Sequence, residues 1–537
     1  MARKRRVMIE QPWQLFAFTL TAVLVGVLTG LMAATFRIVL LGIGTVRTQF
    51  IGWAHGNLFF GFLLVAGAGA AATSAAAWLV HRVEPHAEGS GIPRVEGVVE
   101  GRTAPGSAKI LPVKYVGGVL AIGAGLALGR EGPSVQMGGN IAVILSRLLR
   151  RNRNDMRTLV AAGAAAGLAT AFNAPIAGGV FVLEELVKRF DPRTTIATLL
   201  ASAAGFGSAS LLLNNTSDFY VAPLHDPRLA QTPLVLVVGL VTGYVGVLYN
   251  RAVLYSLRLA DTSTWSVEAR AGLIGAAVGA AAFFVPWIVG GGDELTARAL
   301  TGQDTILAVV GILAVRFFLG IISYAALTPG GLFAPMLVMG SDLGLLVGLL
   351  GAAAVPSLTP DVAGMALIGM AAFFTSSVRA PVTGLILATE MTRSVNLLPQ
   401  MLGACAMAML VATMLKSEPI YDSLTARAVR NAHTNALEER AAEKAVRVLE
   451  KEAAEEEVRE QVLVAAEVAE HPAAPASRPE PQSVAPPPSG GDETSGEPPE
   501  AAAPGRHVDG AAPEGHDEPT LDPTHGAPAP RGDEHHD

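Results

Sequence analysis

Gly129-Arg130-Glu131-Gly132-Pro133 stands at the head of an apolar run that continues to Leu149. Proline suits the first turn of a helix, where the amide it lacks would have no partner. The glycines leave neighbouring N–H groups without side-chain cover. Such a helix start presents open N–H donors and the positive end of the helix dipole, and together these attract an anion. Gly89-Ser90-Gly91-Ile92-Pro93 and Gly330-Gly331-Leu332-Phe333-Ala334-Pro335 are built the same way. Three such starts in one apolar chain predict a small anion held inside a bilayer.

The surrounding sequence supports a membrane setting. From about Gln11 to Met414 one apolar stretch follows another, and most charges lie at the two ends. The 537 residues are 51% hydrophobic and 16% charged, so the middle is more apolar than these averages state. The expected fold class is an all-α polytopic membrane protein. A spanning helix needs roughly 20 apolar residues. Ile110–Leu128, Pro133–Leu149 and Pro175–Val187 are shorter or interrupted by Gly and Pro. Broken segments of this kind predict helices that stop midway, with their ends lining a site.

Residues 1–11 form a basic lead-in, Met1-Ala2-Arg3-Lys4-Arg5-Arg6, ahead of a long apolar run from Trp13. That run is too long for a cleaved signal peptide and reads as an uncleaved anchor. The positive-inside rule places the N-terminus, and the basic loop Arg147–Arg157, in the cytoplasm. Residues 12–430 are the membrane domain. Residues 431–470 carry opposite charges at helical spacing, such as Glu443 and Arg447, and read as a charged, solvated helix. Residues 471–537 are rich in Pro, Ala, Glu and His and are expected to be disordered. His507, His516, His525, His535 and His536 there spell out no specific metal site. Cys405, the single cysteine, reads as a buried structural thiol. The net charge of −7 comes largely from the tail and does not suggest a nucleic-acid partner. Asn214-Asn215-Thr216 fits a glycosylation sequon, a frequent accidental match.

The membrane domain repeats itself, roughly over 110–190 and 310–395. Gly163 matches Gly369, Ala174-Pro175 matches Ala380-Pro381, Gly178 matches Gly384 and Glu184 matches Glu390. Upstream, Gly132-Pro133 and Met137-Gly138 match Ala334-Pro335 and Met339-Gly340. Two related halves with a site between broken helices is the plan of a transporter or channel.

Glu131 is the sharpest candidate. A carboxylate at that turn competes with an external anion for the same N–H groups. Ionised, it can occupy the site; protonated, it can swing away, so one residue can gate an anion path and carry a proton. The plainer reading is a helix-start cap or a partner for Arg130. Ser90, between two glycines, can donate its hydroxyl to a halide or simply cap a helix. Glu184 and Glu185 close the run from Pro175; they either mark the water interface or relay protons, and the residues alone leave both readings open. Tyr421 follows the last apolar run, where interfacial tyrosines are common.

Taken together, these motifs resemble the CLC family of chloride channels and proton-coupled chloride antiporters. The resemblance runs from roughly Trp13 to Arg427 and also takes in Ala171-Phe172-Asn173-Ala174-Pro175 and Gly290-Gly291-Gly292. It implies a CLC-type fold of two inverted-topology halves with many tilted and broken helices, assembled as a homodimer with one pore per subunit. The implied chloride-binding set is Ser90, Gly91, Ile92, Arg130, Glu131, Gly132, Leu332, Phe333 and Tyr421. Ser90 and Tyr421 would act through hydroxyls, and Leu332 and Phe333 through amides. Glu131 would be the gate. Glu185, second in the Glu-Glu pair, would be the inner proton relay of an antiporter. Serine at position 90 implies chloride rather than nitrate, and the fluoride branch looks different around these motifs.

Two departures stand out. Ser323-Tyr324-Ala325-Ala326-Leu327-Thr328-Pro329 replaces a Gly-Ser-Gly-rich stretch of many relatives. The tail lacks the strand–helix alternation of nucleotide-binding CBS domains, so regulation by adenine nucleotides is not expected. The resulting expectation is a proton-coupled chloride antiporter that needs no cofactor, multi-pass in a bacterial inner membrane, with N- and C-termini cytoplasmic. Its partners are chloride, protons and the lipid bilayer. The alternative is a passive voltage- or pH-gated chloride channel, which Glu185 argues against. An intramembrane enzyme would need a nucleophile with a base, or metal ligands, on the apolar helices, and no such set is present. A scaffold role would leave the three anion motifs unexplained.

Overall fold

The structure is a computed structural model, and the residues it describes are 12–213, Phe219, Val221, 229–358, 361–431 and the single positions Arg447, Val458 and Val462. The basic lead-in of residues 1–11, the sequon at Asn214, and the expected charged helix and disordered tail lie outside the described residues, those three positions apart. Residues from Glu450 onward form a unit of their own, in which Val458 and Val462 are helical and exposed.

The described chain is helical throughout. It runs through α1 (Pro12–Ala54), α2 (Leu58–Val83), α3 (Ile92–Glu100), α4 (Ile110–Gly123), α5 (Glu131–Leu148), α6 (Arg153–Phe172), α7 (Pro175–Phe181) and α8 (Pro192–Ala209). It continues through α9 (Thr232–Asp261), α10 (Val267–Phe284), α11 (Asp293–Ala299), α12 (Ile306–Tyr324), α13 (Phe333–Ala354), α14 (Val362–Val378), α15 (Pro381–Thr392) and α16 (Leu398–Met414). A last helix, α17, covers 420–431. Helices α1, α2, α9, α10, α12 and α13 are long and apolar enough to cross a membrane. The 43 residues of α1 extend over about 65 Å at 1.5 Å per residue, roughly twice the hydrocarbon thickness. That helix must tilt or carry one end beyond the apolar layer. The interrupted segments do stop short: α4 ends at Gly123 and α7 at Phe181, where it passes into one π-helical turn, Val182–Leu186.

The internal repeat is a repeat of packing. Helices α5 and α6 cross so closely at Gly138 and Gly163 that a Cβ on either glycine would strike the other's carbonyl. Gly340 and Gly369 hold α13 and α14 together in the same reciprocal way. Each pair then ends alike. Helix α6 stops at left-handed Asn173 before Ala174-Pro175, and α14 stops at left-handed Arg379 before Ala380-Pro381. Small residues let backbones approach, and dispersion replaces the hydrophobic drive that lipid does not supply.

The matched glutamates bind the halves together. Glu184 accepts hydrogen bonds from the amides of Val382 (3.1 Å) and Thr383 (2.7 Å) at the start of α15, and from the Thr383 hydroxyl (2.7 Å). Glu390 accepts from the amides of Ile176 (3.1 Å) and Ala177 (2.7 Å) at the start of α7. A carboxylate near the C-terminal end of each segment, Glu390 in the last turn of α15 and Glu184 in the turn after α7, caps the beginning of the other, so the two run antiparallel. Glu184 is therefore more than a marker of the water interface. We predict that Glu184→Ala and Glu390→Ala each lower stability by about 1–2 kcal/mol, the usual cost of losing a helix cap, and by similar amounts. Thermal unfolding in detergent reads both.

Candidate functional site

The three glycine-rich motifs meet at one place. Gly129 and Gly331 exchange two backbone hydrogen bonds of 2.8 Å each, and the Gly330 N–H donates to the Gly89 carbonyl at 3.0 Å. The starts of α3, α5 and α13 are thereby brought together. None of their N-cap residues, Gly91, Arg130 and Leu332, places a side chain on the helix amides. Gly91 has φ +81°, a left-handed value that other residues adopt only with strain. Gly132 is needed for space, because a Cβ there would press on the Ser90 hydroxyl and carbonyl.

Three side chains complete the cluster. Ser90, Glu131 and Tyr421 are buried, with 1%, 0% and 0% of their surface exposed. The Ser90 Oγ and the Tyr421 hydroxyl have no hydrogen-bond partner among the described residues. Neither oxygen of Glu131 makes a well-formed bond, although the amides of Glu131 and Ala334 lie close by. Buried polar groups without partners are costly, so their gathering beside open helix starts marks this place as the candidate ligand site. An aromatic wall flanks it. The Phe333 ring lies 4.4 Å from Phe374, 4.9 Å from Phe172 and 5.7 Å from Phe181, and Tyr421 meets Phe181 edge-on.

The Arg130 side chain turns away. Its guanidinium pairs with Asp293 at 2.5 Å and donates to the Ala171 carbonyl at 3.1 Å. What it offers the site is backbone, and it is not the ion-pair partner of Glu131. Arg130 and Glu131 line a cavity of about 630 Å³, together with Arg37, Arg47, Trp287 and the Gly290–Gly292 loop. Buried Arg316 holds that loop by donating to the carbonyls of Ile288, Gly290 and Gly291 at 3.1, 2.8 and 3.0 Å.

Glu185 lies in the π-helical turn, 4% exposed, with Oε1 unpartnered. Its charged surroundings are Lys188, Asp422, Glu96 and Glu184. The adjacent Glu184 points to α15 instead, so the two acids of the pair serve different neighbours.

Two supporting residues escaped the sequence reading. The ammonium of Lys114, wholly buried in α4, donates to the carbonyls of Ala87 (3.0 Å), Glu88 (3.4 Å) and Gly89 (2.6 Å), just ahead of Ser90. A lysine inside an apolar run was a legible signal, since ionisable residues in membrane segments are functional candidates by default. Tyr324, in the stretch that departs from the Gly-Ser-Gly pattern, takes the Ser90 N–H on its hydroxyl at 3.4 Å. Its neighbour Ser323 takes the Ala127 N–H at 3.0 Å. Among the described residues no group of His, Cys, Asp or Glu could hold a metal ion, and Cys405 is a buried free thiol.

Fold and site together define a polytopic helical membrane protein whose two repeated halves enclose a buried polar site built from helix starts. Residues 71–413 match the voltage gated chloride channel family, and the chain belongs to that family. It is 33% identical over 432 residues to the H(+)/Cl(-) exchange transporter ClcA of Vibrio cholerae, across 78% of this chain and 90% of that protein. It is 35% identical over 428 residues to the ClcA of Cronobacter sakazakii, across 76% and 89%. The fold is similar to the crystal structure of a slow cyanobacterial Cl-/H+ antiporter, with a TM-score of 0.74 and 30% identity over 77% of this chain and 98% of that one. A CLC-type fluoride/proton antiporter shares the fold at a TM-score of 0.64 and 23% identity, across 76% of this chain and 98% of that one.

Lys114→Met would strand three carbonyls at the base of the Ser90 turn. We predict a loss of about 1–3 kcal/mol of stability, the cost of leaving buried polar groups unpaired, read by thermal unfolding.

Proposed function

We propose that this protein exchanges chloride for protons across the membrane. One observation carries the reading: the buried Glu131 carboxylate lies without a well-formed partner where three uncapped helix starts converge, on the wall of a water-accessible cavity. A dehydrated chloride held there would take amides from Gly91, Ile92, Gly132, Leu332 and Phe333 and hydroxyls from Ser90 and Tyr421. Charged Glu131 competes for the same donors. Protonated Glu131 gives up that attraction and carries its proton toward the cavity. Attraction by helix dipoles and hydroxyls, without a cation in contact, keeps binding weak enough for release.

Glu185 supports exchange over passive conduction. A buried acid with an unpartnered oxygen, among charged groups that reach solvent, suits proton transfer on the side away from the cavity. That side is the cytoplasmic one in this reading. Arg193, in the first turn of α8, pairs with Asp155 in the first turn of α6 at 2.7 Å, and Arg151, in the connection between α5 and α6, bonds to Ala17 and Thr21 near the start of α1. Both termini would then be cytoplasmic, and the membrane a bacterial inner membrane. The protein would work as a homodimer with one pore per subunit, as the family resemblance implies. Transport of this kind forms no covalent bond and uses no cofactor.

Reconstitution in liposomes tests the reading. With opposed chloride and pH gradients, the reversal potential should lie between the chloride and proton equilibrium potentials; a value at the chloride potential would mark a passive channel. Glu131→Gln should abolish uphill proton movement driven by chloride. Glu185→Gln should lose proton coupling while chloride still moves. Uphill proton pumping in Glu131→Gln would refute the gate assignment. We further predict that Ser90→Ala and Tyr421→Phe each weaken chloride binding in calorimetric titration by about tenfold, as for loss of a hydrogen bond to a charged group.

A further inference from the structure

Lys188 stands three residues beyond Glu185, at a left-handed φ of +55°. A residue other than glycine holds that conformation at a cost, and such positions often serve function. Here the conformation delivers the ammonium between two carboxylates. Lys188 Nζ lies 2.9 Å from Glu96 Oε1 on α3 and 2.6 Å from Asp422 Oδ1 on α17. The Thr425 hydroxyl, one turn farther along α17, donates to the other Glu96 oxygen at 3.0 Å. Helix α3 begins just after Ser90, and Asp422 directly follows Tyr421. One ammonium thus ties α3, which begins two residues after Ser90, to α17, which carries Tyr421, and so links the elements next to the two unpartnered hydroxyls of the site.

The two arms differ. Glu96 is fully buried, so its bond to Lys188 is shielded from water, whereas Asp422 is 36% exposed and Lys188 39%. The Asp422 arm is the one that water can replace. Farther along α17, Arg427 is anchored twice, to Asp261 at 2.6 Å and to Glu88 at 3.1 Å. Releasing Asp422 would leave the Tyr421 end tied to α3 only through the Thr425 hydroxyl while the Arg427 end stays fixed, which is the geometry of a hinge.

We propose that Lys188 is a positioning residue that clamps the Glu185 side of the anion site shut, holding the Tyr421 end of α17 against α3 until its Asp422 arm is released. The inference rests on the transport reading above and adds a device to it. The charge of the same ammonium acts on Glu185, as do those of Asp422, Glu96 and Glu184. Ionised Glu185 would draw Lys188 away from Asp422, so opening of this side is linked to the proton on Glu185. Removing the clamp should let chloride pass without waiting for that proton.

The test is chloride and proton flux from liposomes, counted per chloride-binding protein as determined by titration calorimetry. Asp422→Asn removes the exposed arm alone. Lys188→Met combined with Glu96→Gln removes the clamp without stranding a buried charge. Each should raise chloride flux roughly two- to fivefold, as befits a partly exposed ion pair, and raise the number of chlorides moved per proton. Lys188→Arg keeps both arms and should behave as the parent. Flux at or below the parent's in either clamp-breaking variant overturns the proposal, as does a rise with the parent's chloride-to-proton ratio. If the parent itself moves no protons, the exchanger reading falls, and the clamp is then judged on chloride flux alone.

Discussion

The first amides of a helix have no partner within the helix, and inside a membrane there is little water to supply one. Five of the described helices show two answers to that constraint. For α7 and α15 the answer is a carboxylate from the opposite half, Glu390 and Glu184. For α3, α5 and α13 no side-chain cap is given, and the three starts face one another. The same unmet demand thus welds the halves together in one place and leaves donors open to a ligand in another. The difference lies in what covers each start: a hydrogen-bonded acid on one, glycines and an acid without a well-formed partner, Glu131, on the other.

The buried cations follow a consistent rule. Lys114 donates to three carbonyls, Arg316 to three more, and Arg130 to a carbonyl and Asp293. Their charges brace the loops around the site rather than entering it. A guanidinium or ammonium in direct contact would bind a halide too firmly for transport, whereas partial charges on amides and hydroxyls bind and release. Glycine does the complementary work. Where backbones touch, at Gly138 with Gly163 and Gly340 with Gly369, any side chain would push the helices apart and carry the three starts out of register.

Much of this was legible from residue order alone. The three motifs, the matched halves, and the candidacy of Ser90 and Glu131 come from patterns local to a few residues or repeated along the chain, and Tyr421 entered through the family resemblance. What stayed hidden depends on partners far apart in sequence. Arg130 was read as part of the anion-binding set, yet its side chain is taken by Asp293, 163 positions away. Glu184 left two readings open because its target, the start of α15, is 198 residues downstream. The unusual Ser323-Tyr324 stretch turned out to support two turns of the site, its Tyr324 hydroxyl accepting the Ser90 amide and its Ser323 hydroxyl the Ala127 amide ahead of Glu131.

The amino-acid sequence by itself determined that the chain is a helical membrane protein of two related halves with three helix starts fit for an anion, because hydropathy, Gly–Pro punctuation and dipole direction are properties of short segments. Only the tertiary structure decided which of those starts stay open, which acid caps and which remains available, and which helices Lys188 joins. These are questions of which donor lies within about 3 Å of which acceptor, and that distance is set by the packing of the whole domain.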